Sequence, residues 1–168
     1  MGGKVAQLIA GRHQVKGLKG VVLLAPAPPT PLVLSPDMKV QQLSAYETPE
    51  SAEFVVRNIL SSSKLSDEVV GILVEDMVRG SEVAKKAWPG YGMDEDISED
   101  ARKIDVPVLV VVGDEDRAET VERVEREVLG NIKGVEMVVL EGKGHLLPVE
   151  APEEVAGLAR GFVGRVVG

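Results

Sequence analysis

One histidine and one carboxylate stand where they could do chemistry together. The chain has two histidines, and His145 lies in the stretch GKGHLLPVE, where Gly142 and Gly144 let the backbone bend and project the imidazole. Upstream, GDED carries Asp114, Glu115 and Asp116 directly after a valine-rich run. An imidazole and a carboxylate in reach of each other make an acid–base pair, the carboxylate orienting the ring and balancing its charge. Asp116 competes with Asp114 and Glu115 for the carboxylate role. The structural readings are a loop cap for His145 and a solvated acidic loop for GDED. His13, in the polar turn GRHQ, reads as a surface residue.

Such a pair calls for a nucleophile. There is no cysteine in the chain, which removes a thiolate, a disulfide framework and any cysteine-based zinc site. A nucleophile elbow has the form G-x-S-x-G on a strand-to-helix turn, and no serine here fits it. Ser81, in RGSEV, has Arg79 and Val83 where the glycines belong and reads as a helix cap. Ser61, Ser62 and Ser63 read as an interhelical loop. Acids after a strand also occur in magnesium sites for phosphoryl transfer, but no G-x-x-x-x-G-K-[ST] phosphate loop accompanies them, so neither a metal nor a cofactor is expected.

The elements that position these groups follow from periodicity. Lys4 to Ala10 has apolar residues at helical spacing and stops at Gly11. VVLLAPAPP reads as a strand buried on both faces that runs into a proline-rich loop. From Thr30 to about Ile104 the pattern is helical, with Thr48 before Pro49 and Ser66 before DEVV as N-caps; KAWPGYGMDED, with its proline and glycines, is expected to be a loop. IDVPVLVVVGDED returns to strand, Ala118 to Leu129 reads as a surface helix, GVEMVVLEGKGHLLP is a further strand, and APEEVAGLARGFVGRVV is a closing amphipathic helix. Strands alternating with helices give an α/β class with parallel βαβ units. In such sheets ligands bind beyond the carboxyl ends of the strands, where GDED and GKGHLLPVE both emerge.

The 168 residues suffice for one domain with a core, and 44% hydrophobic with 27% charged residues is ordinary globular composition. A net charge of −8 argues against nucleic acid as a partner, since that binding rests on Lys and Arg neutralising phosphates. No apolar run reaches the roughly 18 residues of a membrane span. MGGKVA has Ala6 where the myristoylation pattern wants Ser or Thr, so no membrane partner is expected and the cytoplasm is the expected compartment. There is no internal repeat or low-complexity tract.

Together these stretches resemble the α/β-hydrolase family, and within it the serine hydrolases with a helical cap. The family's elbow typically reads G-H-S-M-G-G followed by a helix, and MGGKVAQLIA is similar from the residue after the serine onward. A strand like LKGVVLLAPAPP, then a cap, then VPVLVVVGDED and GKGHLLPVEAPEEV follow in the family's order. The resemblance implies a single partial domain over residues 1–168: the C-terminal part of an α/β-hydrolase fold, with parallel strands, flanking helices and a cap inserted at about 31–104. It gives Asp116 the triad acid position, with Asp114 as runner-up, and His145 the general base. The backbone N–H of Met1 falls at the first oxyanion-hole position.

The same resemblance puts the serine, its strand and the second oxyanion loop ahead of Met1, so Met1 is expected to lie inside a longer chain. Completed by an N-terminal half, the protein is expected to act on ester-like small-molecule substrates. Alone it is expected to be inactive. The alternative is a non-catalytic interaction or pseudoenzyme fragment that self-associates through an exposed sheet edge.

Overall fold

The computed structural model describes residues 1–168. Three parallel strands, β1 (Val21–Leu24), β2 (Val108–Gly113) and β3 (Val135–Leu140), form one sheet in the order β1-β2-β3. Val21 pairs with Val108, which pairs with Val135. Every residue of the central strand is buried. Its side chains alternate between two cores: Val108, Val110 and Val112 pack with Ala10, Leu23, Val124 and Val128 on one face, while Leu109 and Val111 pack with Leu147 and Phe162 on the other. A strand with no polar face therefore reads as an unbroken apolar run. Pro107 lies just before β2, and its carbonyl accepts the N–H of Val21.

Helices cover both faces. α1 (Gly2–Gly11) leads into β1. Its glycines are unequal: a Cβ on Gly3 would sit 2.8 Å from the Pro26 Cβ and one on Gly11 only 2.0 Å from the Asp100 carbonyl oxygen, whereas Gly2 faces open space. Glycine at 3 and 11 lets α1 close on the loop after β1 and on α6 (Ser98–Ala101).

Between β1 and β2 the regular elements are all helical, as the caps foretell. α2 (Pro36–Ser44), α3 (Pro49–Val55), α4 (Asp67–Arg79) and α5 (Glu82–Ala87) start at Ser35, Thr48, Ser66 and Ser81, and each of these side chains accepts a backbone N–H of the first turn. α3 continues into a wide π turn over Val56–Leu60.

KAWPGYGMDED departs from the expected loop. Its first residues end α5, and Trp88–Gly92 form a second π turn, closed by the Met93 N–H on the Trp88 carbonyl at 3.0 Å. Pro89 has no N–H to give a tighter helix, and the wider turn accommodates its ring. Gly92 lies against the Trp88 ring, 2.9 Å from where a Cβ would be.

The helix expected from Ala118 starts later, as α7 (Val121–Val124) behind Thr120 as N-cap, and widens into a π turn over Glu125–Leu129. The N–H groups of Ala118 and Glu119 are taken by Asp116, which holds those residues out of the helix. After β3 come the short α8 (Leu147–Glu150) and the closing α9 (Pro152–Val167). No helix is long and apolar enough to cross a membrane.

Candidate active site

The carboxyl ends of β2 and β3 bring Asp116 and His145 into contact. His145 Nδ1 lies 2.8 Å from Asp116 Oδ2, and the Asp116 side chain is fully buried. The second carboxylate oxygen, Oδ1, accepts the N–H groups of Ala118 (2.8 Å) and Glu119 (2.9 Å). With Asp116 as a carboxylate, which only accepts, the proton of the shared bond is the one on Nδ1, and Nε2 has no hydrogen-bond partner in the chain. That is the tautomer a general base needs.

Asp114 goes elsewhere. Its Oδ1 accepts the Gly142 N–H at 2.7 Å, bracing the turn that leads to His145, and Gly142 has the positive φ of 65° that the turn requires. The Asp114 N–H on the Leu140 carbonyl (3.2 Å) and the Glu115 N–H on the Lys143 carbonyl (3.0 Å) lace the two strand ends together. Two successive loops thus share one hydrogen-bonded edge, and only the third residue after Gly113 points its carboxylate at the imidazole.

Met1 caps α1, its carbonyl accepting the Lys4 N–H at 3.0 Å. Its amine is held below the ordinary value by burial, with the nearby Glu119 pulling the other way. Glu119 feels His145 and Asp116 as well, so the start of α1 and the pair share one electrostatic neighbourhood. His13 is exposed, as its polar turn implies, with Nδ1 3.7 Å from Asp105 Oδ1.

Three further charged residues matter here and were not singled out in the sequence. Lys4 is buried at 5% exposure, and its ammonium donates to the carbonyls of Thr30 (3.2 Å), Met93 (3.4 Å) and Glu95, pinning α1 to the helical segment. Its three protons meet three acceptors. Glu150, also buried, receives a cluster of N–H groups around the His145 loop. Glu119, 5% exposed, is paired with Arg123 at 2.7 Å. Lys4 and Glu150 sit in helices and Glu119 just ahead of one, at positions where a charged residue ordinarily faces water, so periodicity offered no signal.

Burial pushes the Glu119 carboxyl up to about 7, against the opposing pull of Arg123 and His145 and with Asp116 adding to the rise. The native state therefore holds this proton after the unfolded chain, at 4.5, has released it. The contribution to stability is fully present below about pH 4.5 and is lost as pH rises through 7, a loss of about 3 kcal/mol. Urea unfolding from pH 5 to 8 is expected to show that extra decline in the wild type relative to Glu119→Gln; parallel profiles would contradict it.

An apolar cavity of about 170 Å³ opens between α1 and the Trp88–Gly92 turn, lined by Met1, Val5, Leu8, Trp88 and Tyr91 among others. Neither His145 nor Asp116 lines it. Trp88 both anchors its turn against Gly92 and walls this cavity. No group of three or more His, Cys, Asp or Glu side chains converges as a metal site.

Compared with known families, residues 1–158 match the profile of the alpha/beta hydrolase family. The chain belongs to the α/β-hydrolase family. Among solved structures, a bromoperoxidase from Bacillus anthracis superimposes with a TM-score of 0.83 at 16% identity, over 97% of this chain and 64% of that one. An enol-lactonase from Burkholderia xenovorans gives 0.80 at 21%, over 98% and 63%. An esterase from Exiguobacterium antarcticum gives 0.79 at 18%, over 94% and 63%. At these identities the likeness carries the fold alone. The α/β-hydrolase chain described here spans less than two thirds of the length of each of these proteins. Comparison with curated proteins gives no match.

Proposed function

We propose that this α/β-hydrolase chain supplies the acid and base of a serine hydrolase acting on ester-like small molecules. His145 is the general base, Asp116 orients it, and the start of α1 contributes an oxyanion donor at Met1. Helices α2 to α6 act as the cap that shapes the substrate pocket. The nucleophile comes from a residue outside these 168, since no serine hydroxyl of the chain is bonded to the imidazole. The observation that carries this reading is the buried Asp116–His145 contact at 2.8 Å, with Oδ1 saturated by two N–H groups and Nε2 free.

In that reaction Nε2 takes the proton of the attacking hydroxyl, the hydroxyl oxygen adds to the ester carbonyl, and the imidazolium returns the proton to the leaving alcohol. A second cycle with water releases the acid. The 168 residues alone are expected to show no saturable turnover. The test is a serine-reactive fluorophosphonate probe applied to the protein from its native source, followed by intact mass. A labelled species that contains this sequence and exceeds its mass supports the proposal; an unlabelled species of the mass of these 168 residues overturns it.

A non-catalytic role rests on a different feature. β1 pairs only with β2, so its outer edge is free, and the adjoining α1 exposes Val5. Such an edge invites a further strand or a second copy. A monodisperse monomer at high concentration would remove this alternative.

A further inference from the structure

Glu150, at the end of α8, is 9% exposed, yet it forms no ion pair with a lysine or arginine. What neutralises it is backbone. Its Oε2 accepts the N–H groups of Ser63 (2.9 Å), Ser62 (3.1 Å) and Gly144 (3.2 Å) and lies 3.0 Å from the Ser62 hydroxyl. Burial alone would raise its pKa, but these donors outweigh it and hold the carboxyl below its ordinary value.

The donors come from two segments remote in sequence. Ser62 and Ser63 lie in the loop between the Val56–Leu60 π turn and α4, 88 and 87 residues from Glu150. Gly144 precedes His145. The two segments also bond directly, because the N–H groups of His145 (2.8 Å) and Leu146 (3.2 Å) both point at the Leu60 carbonyl. Their approach is so close that a Cβ on Gly144 would fall 2.8 Å from the Ser62 nitrogen and 2.9 Å from the Leu60 oxygen. Without the carboxylate, the buried Gly144 N–H and the part-buried N–H groups of Ser62 and Ser63 would face one another across this seam without their acceptor.

We propose that Glu150 is a positioning residue for His145: its carboxylate clamps the His145 loop to the Leu60–Ser63 turn and so sets the imidazole against Asp116. The consequence for catalysis rests on the reading of His145 as general base; the geometric claim does not. The clamp also couples the helical segment to the site, since moving the Leu60–Ser63 turn moves the backbone on either side of His145.

The test uses proton and nitrogen NMR of the 168-residue chain, with no substrate. In the wild type the Nδ1 proton of His145, bonded to buried Asp116, is expected as a downfield, slowly exchanging signal. Glu150→Ala is expected to speed its exchange at least tenfold while the amides of Val110 and Val111 in β2 keep their protection. Glu150→Gln retains one acceptor oxygen at the same reach and is expected to keep the wild-type ring signal. Glu150→Asp, one methylene shorter, should lose it as alanine does. The proposal is overturned by an unchanged ring signal in both Glu150→Ala and Glu150→Asp. It is equally overturned if ring and β2 protection fall together in every variant, which would make Glu150 a fold-wide support. Because no turnover is read, absence of esterase activity in any form of the protein would sink the catalytic reading and leave this result standing.

Discussion

On the proposed reading, His145→Ala is expected to lower kcat for an activated ester on the order of 10⁶-fold in the native-source protein, by removing the general base. Asp116→Asn is expected to lower it about 10⁴-fold, for a different reason. The asparagine oxygen would still accept the Ala118 and Glu119 N–H groups that now bond Oδ1, which turns its NH₂ toward His145 Nδ1. Facing a donor, Nδ1 must accept, the ring proton moves to Nε2, and the base is blocked. The double variant should be no slower than His145→Ala, because the two residues act as one unit. Steady-state kinetics with a saturable ester decide it: turnover indifferent to both substitutions would show that the pair is structural.

Gly113→Ala is expected to destabilise the fold by about 3 kcal/mol. Its Cβ would lie 2.1 Å from the Lys143 carbonyl oxygen, 2.5 Å from that carbonyl carbon and 2.6 Å from the Gly144 oxygen. All three are backbone atoms, so no side-chain rotation relieves the clash. The loop that must yield is the one carrying His145, and its bonds to Glu115 and Glu150 would stretch with it. Gly157→Ala is the control: it is exposed within α9 with nothing in contact distance. There the methyl group is expected to stabilise by about 1 kcal/mol through helix propensity. Urea midpoints moving in opposite directions for the two variants would separate close packing from a general intolerance of substitution.

Much of this arrangement was written in local patterns. The valine run of β2 announced a strand, but the cover on both faces expected of VVLLAPAPP is met at β2, where Val108, Val110 and Val112 alternate with Leu109 and Val111 between two cores, while only Leu23 of β1 is buried. Thr48, Ser66 and Ser81 were readable as caps because capping is a contact between a side chain and the N–H groups of the next turn. Strand order along the chain put GDED and the His145 loop at one edge. Local rules also misled where they met a competing bond. Pro89 and its glycines signalled a loop, and a π turn absorbed them; Ala118 and Glu119 looked helical, and the Asp116 carboxylate captured their N–H groups.

The sequence by itself determined the α/β class, the helical character of the stretch between β1 and β2, and the nomination of Asp116, Asp114 and His145 as a short roster of reactive groups. All of these depend on spacing between neighbours. Only the tertiary structure decided which acid meets the imidazole, sending Asp114 to the Gly142 N–H and Asp116 to His145. It likewise decided that Lys4, Glu119 and Glu150, spaced like solvent-facing residues, are buried against carbonyls, an arginine and backbone N–H groups. Desolvation of a charge depends on what distant segments bring to it, and a partner 88 residues away, as for Glu150 and Ser62, leaves no periodic trace in the chain.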